Sequence, residues 1–75
     1  MEIEPKEFLD DLKWGEENYS ELMRKYPERW VAIVGKKVVG VGRSMSEAEK
    51  EAYKKTGVDI KKIPLMFVER GANIY

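Results

Sequence analysis

Gly40-Val41-Gly42-Arg43-Ser44 is the stretch of this chain whose residue types come closest to a ligand site. It lies between a strand pattern and a helix start. There, free backbone amides, a guanidinium and a hydroxyl could together hold a phosphate. The spacing departs from a dinucleotide fingerprint, because Met45 stands where the third glycine belongs and no parallel βαβ unit precedes it. The lysine of a phosphate-binding loop is also missing. Ser44-Met45-Ser46-Glu47 reads equally as a capping box, in which Ser44 and Glu47 satisfy each other's backbone amides. Gly40, Gly42, Arg43 and Ser44 are therefore a candidate anion site, with a strand exit and helix cap as the simpler account.

Other chemistry is sparse. The chain has no Cys and no His, which removes thiol chemistry, thiolate metal sites and the usual general base. No catalytic constellation remains, so no enzyme activity and no cofactor or metal are expected. Asp10-Asp11 and Glu16-Glu17 are adjacent pairs, and neighbours on a helix point about 100° apart, so solvated helix face is the expected role. Lys36-Lys37, Lys54-Lys55 and Lys61-Lys62, with Arg43 and Arg70, could form a nucleic-acid stripe. Single-strand binders interleave exposed aromatics with such charge. Here the patterning puts Trp30, Tyr53 and Phe67 inside or at the edge of the core, which argues against nucleic acid. Fourteen basic residues balance fourteen acidic ones, so no net field draws in polyanions or anionic membrane.

The elements that must position these residues follow from periodicity. Over 75 residues one small domain is expected, with an N-terminal helical segment at 5–26 and a ββαβ core at 29–69. Pro5 suits a first helical position; Phe8, Leu9 and Leu12, then Tyr19, Leu22, Met23 and Tyr26, mark apolar faces. Gly15 interrupts, predicting one helix broken there or two short ones. Arg29 to Glu47 reads as two strands joined at Gly35-Lys36, followed directly by a helix. A glycine-first two-residue loop predicts a type II′ turn, with Val34 facing Lys37. That register pairs Ile33 with Val38, Ala32 with Val39, Val31 with Gly40 and Trp30 with Val41. The helix then runs from the capping box to Gly57, with Met45, Ala48, Ala52 and Tyr53 inward. Ile60 and Ile63 are expected to tuck under the sheet, and Leu65-Met66-Phe67-Val68 forms the third strand.

The fold expected is α+β, α(α)ββαβ, with a three-stranded antiparallel sheet in order 2-1-3. One helix covers one face and the N-terminal segment covers the other. This order leaves the second and third strands at the edges. Lys37, Gly40 and Gly42 discourage pairing at the second. Leu65, Met66, Phe67 and Val68 carry no charge or proline, so this strand is the candidate association edge. Gly71 to Tyr75 could fold back over it. The N-terminus lacks an apolar core segment, and the longest apolar run is Trp30 to Val34, so no leader, no membrane partner and a cytoplasmic location are expected. Lys and Glu make up 21 of 75 residues and Gln is absent, a composition like that of proteins from hot environments.

Tyr26-Pro27-Glu28-Arg29-Trp30-Val31-Ala32-Ile33-Val34, Val38-Val39-Gly40-Val41-Gly42 and the Ser46-Glu47-Ala48 helix start carry a resemblance. The chain resembles a group of very small prokaryotic proteins classed as a domain of unknown function. Members share a Tyr-x-x-x-Trp-Val-Ala strand, a Val-Val partner strand, a helix with small residues and a last apolar strand. The resemblance covers roughly residues 22 to 68 and implies this fold. It supplies no activity or catalytic residues. Members encoded beside a partner gene, in the manner of antitoxin-like proteins, imply a binding role. The function expected is a non-catalytic protein-interaction module, homodimeric or bound to a protein partner. A nucleic-acid or nucleotide-phosphate binder is the alternative.

Overall fold

A computed structural model describes residues 5–70. The chain forms α1 (Pro5–Glu17), α2 (Tyr19–Lys25), β1 (Arg29–Ile33), β2 (Val38–Gly42), α3 (Met45–Thr56), a 3₁₀ turn (Ile60–Lys62) and β3 (Leu65–Val68). The sheet is antiparallel in order β2-β1-β3, as the strand patterns predict. Two apolar layers sandwich it. Ala32, Val39, Ala48, Ala52 and Ile63 form the layer under α3. Leu22, Val31, Ile33 and Val68 form the layer under α1 and α2, with Trp14, Met23 and Tyr26 packed on it.

The break in the N-terminal segment falls at Asn18, not Gly15. The hydrogen-bond ladder passes through it, since Asn18 N donates to Trp14 O and Leu22 N to Asn18 O, both at 3.0 Å. The Asn18 side chain also donates to Trp14 O, at 2.8 Å, and this local competition loosens the turn. Gly15 instead lies inside α1 and is buried. A Cβ there would sit 2.6 Å from Ile33 Cδ1 and 2.9 Å from Met66 Cε. Glycine lets α1 approach the sheet. Leu9, expected inward, is 61% exposed.

The β1–β2 hairpin has the expected connection, with Val34 N donating to Lys37 O at 3.0 Å, but a different turn. Gly35 and Lys36 both have positive φ, +65° and +61°. That is the signature of type I′ rather than II′, and it matches the right-handed twist of the strands. The register also shifts. Ile33 faces Val38 as predicted, but Ala32 then faces Gly40, Val31 faces Val41 and Trp30 faces Gly42. A β-bulge at Val39 absorbs the extra residue. Val39 therefore stays under α3, while Val41 turns to the α1–α2 layer.

The bulge also aims Gly40 and Gly42 at α3. A Cβ on Gly40 would overlap Ala48 O, and one on Gly42 would overlap the Glu47 side chain. Ala48 and Ala52 are the residues α3 presents in return, both fully buried. Met45 and Tyr53, expected on that inner face, are exposed, because an axis this close leaves room only for alanine. Ile63 is buried as expected, whereas Ile60 is exposed. Trp30 is only half-buried, lying beside α3 rather than beneath it. Trp30→Ala should therefore cost about 2 kcal/mol, below the usual range for an enclosed aromatic. Denaturant unfolding measures this, and a loss under 0.5 kcal/mol would contradict the placement.

Candidate functional site

The Gly40–Ser44 segment divides between two tasks. Gly40 and Gly42 meet α3. Arg43 and Ser44 continue to the helix start, where Ser44 is the N-cap and its Oγ accepts from Glu47 N at 3.2 Å. The Glu47 carboxylate reaches back to Arg43 N at 2.8 Å, one residue before the amide expected. The Arg43 and Glu47 amides are thus already held, and the Glu47 carboxylate lies beside the helix start where an anion's charge would go. The helix ends as predicted at Gly57, with φ +73° and Gly57 N donating to Tyr53 O at 2.8 Å.

A second cationic group lies at the start of β1. Arg24, Arg29 and Arg70 line a cleft of about 600 Å³ with Ser20, Met23, Pro27 and Glu28. Arg24 pairs with Glu21, Arg29 Nη1 donates to Glu28 O at 3.0 Å, and Arg70 approaches Glu28 Oε1 at 3.4 Å. The hydrogen bond and charge of Arg24 hold the Glu21 carboxyl below its usual value. Two of the three guanidiniums are thus paired with carboxylates, and Arg29 is held by a backbone carbonyl. Among the described residues, no group of three or more carboxylates comes together as a cation site.

Each sheet edge carries a side-chain cap. On the β2 edge, Glu51 Oε1 accepts from Val41 N at 2.7 Å, so α3 caps an outward amide of that strand. Glu51 also approaches Lys55 Nζ at 3.8 Å, the pair its i, i+4 spacing predicts. On the other side, Arg29 faces Val68 and Val31 faces Met66, while Ile33 N donates to Pro64 O at 3.1 Å. Antiparallel alternation therefore turns the Leu65 and Phe67 backbone groups away from β1. The Tyr19 hydroxyl donates to Phe67 O at 3.4 Å and accepts from Glu69 N at 2.9 Å. It caps one end of the edge, and among the described residues nothing caps the Leu65 end. Tyr19→Phe should cost about 1 kcal/mol and speed amide exchange at Glu69. Unchanged exchange there would contradict the cap.

The four candidate edge residues play separate roles. Val68 is fully buried and Met66 is packed in the α1–α2 layer, so both belong to the core. Leu65 packs partly under α3. Phe67 is 42% exposed and leans on Trp30, with centroids 5.4 Å apart and planes at 59°. Edge chemistry thus rests on Leu65 and Phe67. Residues 71–75, whose folding back here is the rival account, lie outside the described residues.

The sequence reading misses the capping roles of three polar residues that shape the fold. Tyr19 and Glu51 cap opposite edges. Asp11, expected as solvated surface, is 5% exposed, and its two carboxylate oxygens accept from Gly35 N at 3.1 Å and Lys36 N at 2.9 Å. A signal for it existed: Asp11 lies three residues after Phe8 and four before Gly15, on the inward stripe of α1. Asp10, Glu16 and Glu17 are exposed as expected.

The model of a family described as "Family of unknown function (DUF5678)" matches residues 21–71, which takes in α2 and the ββαβ unit. No curated protein and no solved structure matches the chain.

Proposed function

For this chain, which belongs to the DUF5678 family of unknown function, we propose a non-catalytic role as a protein-interaction module that self-associates through β3. The single observation that carries the reading is the exposed Phe67 on an edge strand, beside the Leu65 end of β3, which no described residue caps. Open strand edges pair readily with other chains, and burying Phe67 against a partner removes apolar surface from water. An antitoxin-like or regulatory role in the cytoplasm fits such a module. Among the described residues, no helix is long and apolar enough to cross a membrane.

Blocking the edge tests the reading. Phe67→Pro removes an outward amide without breaking a ladder bond to β1, as proline does on edge strands. Light scattering should find the native chain dimeric at high micromolar concentration and the variant monomeric and folded. A native chain that stays monomeric overturns the proposal. Val68 is unsuitable for this purpose, because a change there strikes the core.

One observation favours a second reading, as a nucleic-acid or nucleotide-phosphate binder. Tyr53 is 55% exposed and shares an open cleft of about 800 Å³ with Lys50, Lys54, Gly57, Asp59 and Ile60. An exposed aromatic between lysines is a stacking arrangement. Millimolar nucleotide should then raise the melting temperature by mass action, with the gain lost in Tyr53→Ala. The interaction reading predicts no gain.

A further inference from the structure

We propose that the arginine cleft where α2, the start of β1 and the exit of β3 meet binds a phosphomonoester, held by Arg24, Arg29 and Arg70. It depends neither on the β3 edge nor on the Tyr53 cleft.

Topology brings the three guanidiniums together from distant parts of the chain. Arg29 opens β1 opposite Val68, so Arg70, two residues further on, leaves β3 beside the start of β1. Arg24 lies in the last turn of α2, and the short turn through Pro27 and Glu28 sets that helix end against the same corner. All three line one cleft, whose lining holds a single carboxylate, that of Glu28. The chain as a whole is neutral, so three guanidiniums against one carboxylate is a local excess of positive charge. That excess sets the sign of the ligand.

The existing contacts position these cations and leave them able to bind. Glu21 holds Arg24 without itself lining the cleft. Arg70 meets Glu28 at 3.4 Å, with the two side chains 70% and 54% exposed. A pair so exposed contributes little in water, so a dianion can displace Glu28. Arg29 is half-buried, and among the described residues no carboxylate pairs with it. Its Nη1 donates to Glu28 O, which uses one of its five N–H donors and fixes one end of the fork. Glu28 sits at φ +58°, a region that disfavours side chains, and strain of this kind recurs at binding sites.

The shape of the site selects the kind of anion. Guanidinium forks match phosphate oxygens two at a time. A phosphomonoester offers three terminal oxygens, one for each arginine, and carries a charge of about −2 near neutral pH. A carboxylate offers two oxygens and half that charge. The cleft, at about 600 Å³, has room well beyond a phosphate group, and Met23 and Pro27 give it an apolar wall for a short organic body. Ser20 adds a hydroxyl donor. No aromatic side chain lines the cleft, so it lacks the stacking platform a nucleotide base would use.

Glycerol phosphate is a suitable probe, titrated into the native chain at constant ionic strength. The Nε–H resonances of Arg29 and Arg70 should shift saturably, and the melting temperature should rise by mass action. Inorganic phosphate should bind about threefold more weakly, for want of an organic body. Arg29→Lys keeps the charge but loses the fork, and should weaken binding about tenfold. Arg70→Gln, at an exposed position where folding is not at stake, should do the same. Glu28→Gln removes the competing carboxylate and should tighten binding about threefold. Arg43→Ala removes an equal charge at the start of α3 and should change nothing. No saturable shift, native binding by Arg29→Lys, or an equal loss in Arg43→Ala overturns the site. Inorganic phosphate binding as tightly as glycerol phosphate overturns the choice of a phosphomonoester.

Discussion

Asp11→Ala should cost about 3 kcal/mol, which in a domain of this size lowers the melting temperature by about 15 °C. The carboxylate is almost wholly enclosed and accepts from both central amides of the hairpin turn. Gly35 and Lys36 are themselves exposed, so alanine returns those donors to water, and the loss is that of two hydrogen bonds to a charged acceptor. The turn has a second stake in this contact. Lys36 is held at φ +61°, a region that disfavours side chains, and the paired amides help hold it there. Asp11→Asn is the discriminating control. Asparagine keeps one acceptor and sets a donor against the other amide, so it should lose most of what alanine loses. Amide exchange at Gly35 and Lys36 should quicken in both variants. A loss under 1 kcal/mol would show that α1 does not clamp the turn.

Gly40→Ala should be comparably severe, at about 3 kcal/mol. The added methyl would overlap Ala48 O and lie 2.8 Å from Ala52 N, and both are backbone atoms of α3. Side-chain rotation cannot relieve a clash with backbone, so the helix must lift from the sheet. Lifting it opens the layer formed by Ala32, Val39, Ala48, Ala52 and Ile63. Gly15→Ala provides the contrast. There the new methyl meets the ends of Ile33 and Met66, which can move, and alanine favours the helix by about 1 kcal/mol. Its net effect should be small. Chemical denaturation of the two variants side by side makes the comparison, and equal losses would contradict the account of Gly40.

Much of this architecture is legible because local signals agree. The turn at Gly35-Lys36, the Ser44 cap, the Gly57 terminator and the uncharged third strand each point to one arrangement, and strand order 2-1-3 follows from them. What periodicity misses is the bulge at Val39. A period of two cannot reveal an extra residue, so the predicted faces for Gly40 and Val41 are exchanged beyond it. The roles of Gly40 and Gly42 change as a result, from possible ligand contacts to helix contacts. The capping roles of Asp11, Tyr19 and Glu51 are equally hidden. Asp11 and Tyr19 act on residues 24 and 48 positions or more away in sequence, and Glu51 acts across the β2–α3 junction. Phe67 shows the complementary error. An apolar residue in a strand pattern suggests burial, yet α3 lies over β2 and β1 and leaves the ring of Phe67 beside it exposed.

Amide hydrogen exchange at Leu65 and Phe67, measured on the native chain at low and at high micromolar concentration, tests the association edge most directly. Both amides point away from β1, so only a partner strand can protect them as concentration rises. Val31 and Met66, paired within the sheet, serve as internal references. The account predicts fast exchange at Leu65 and Phe67 in dilute protein and marked slowing in concentrated protein, with little change at the references. Equal exchange at Leu65 and Phe67 across that range would contradict it.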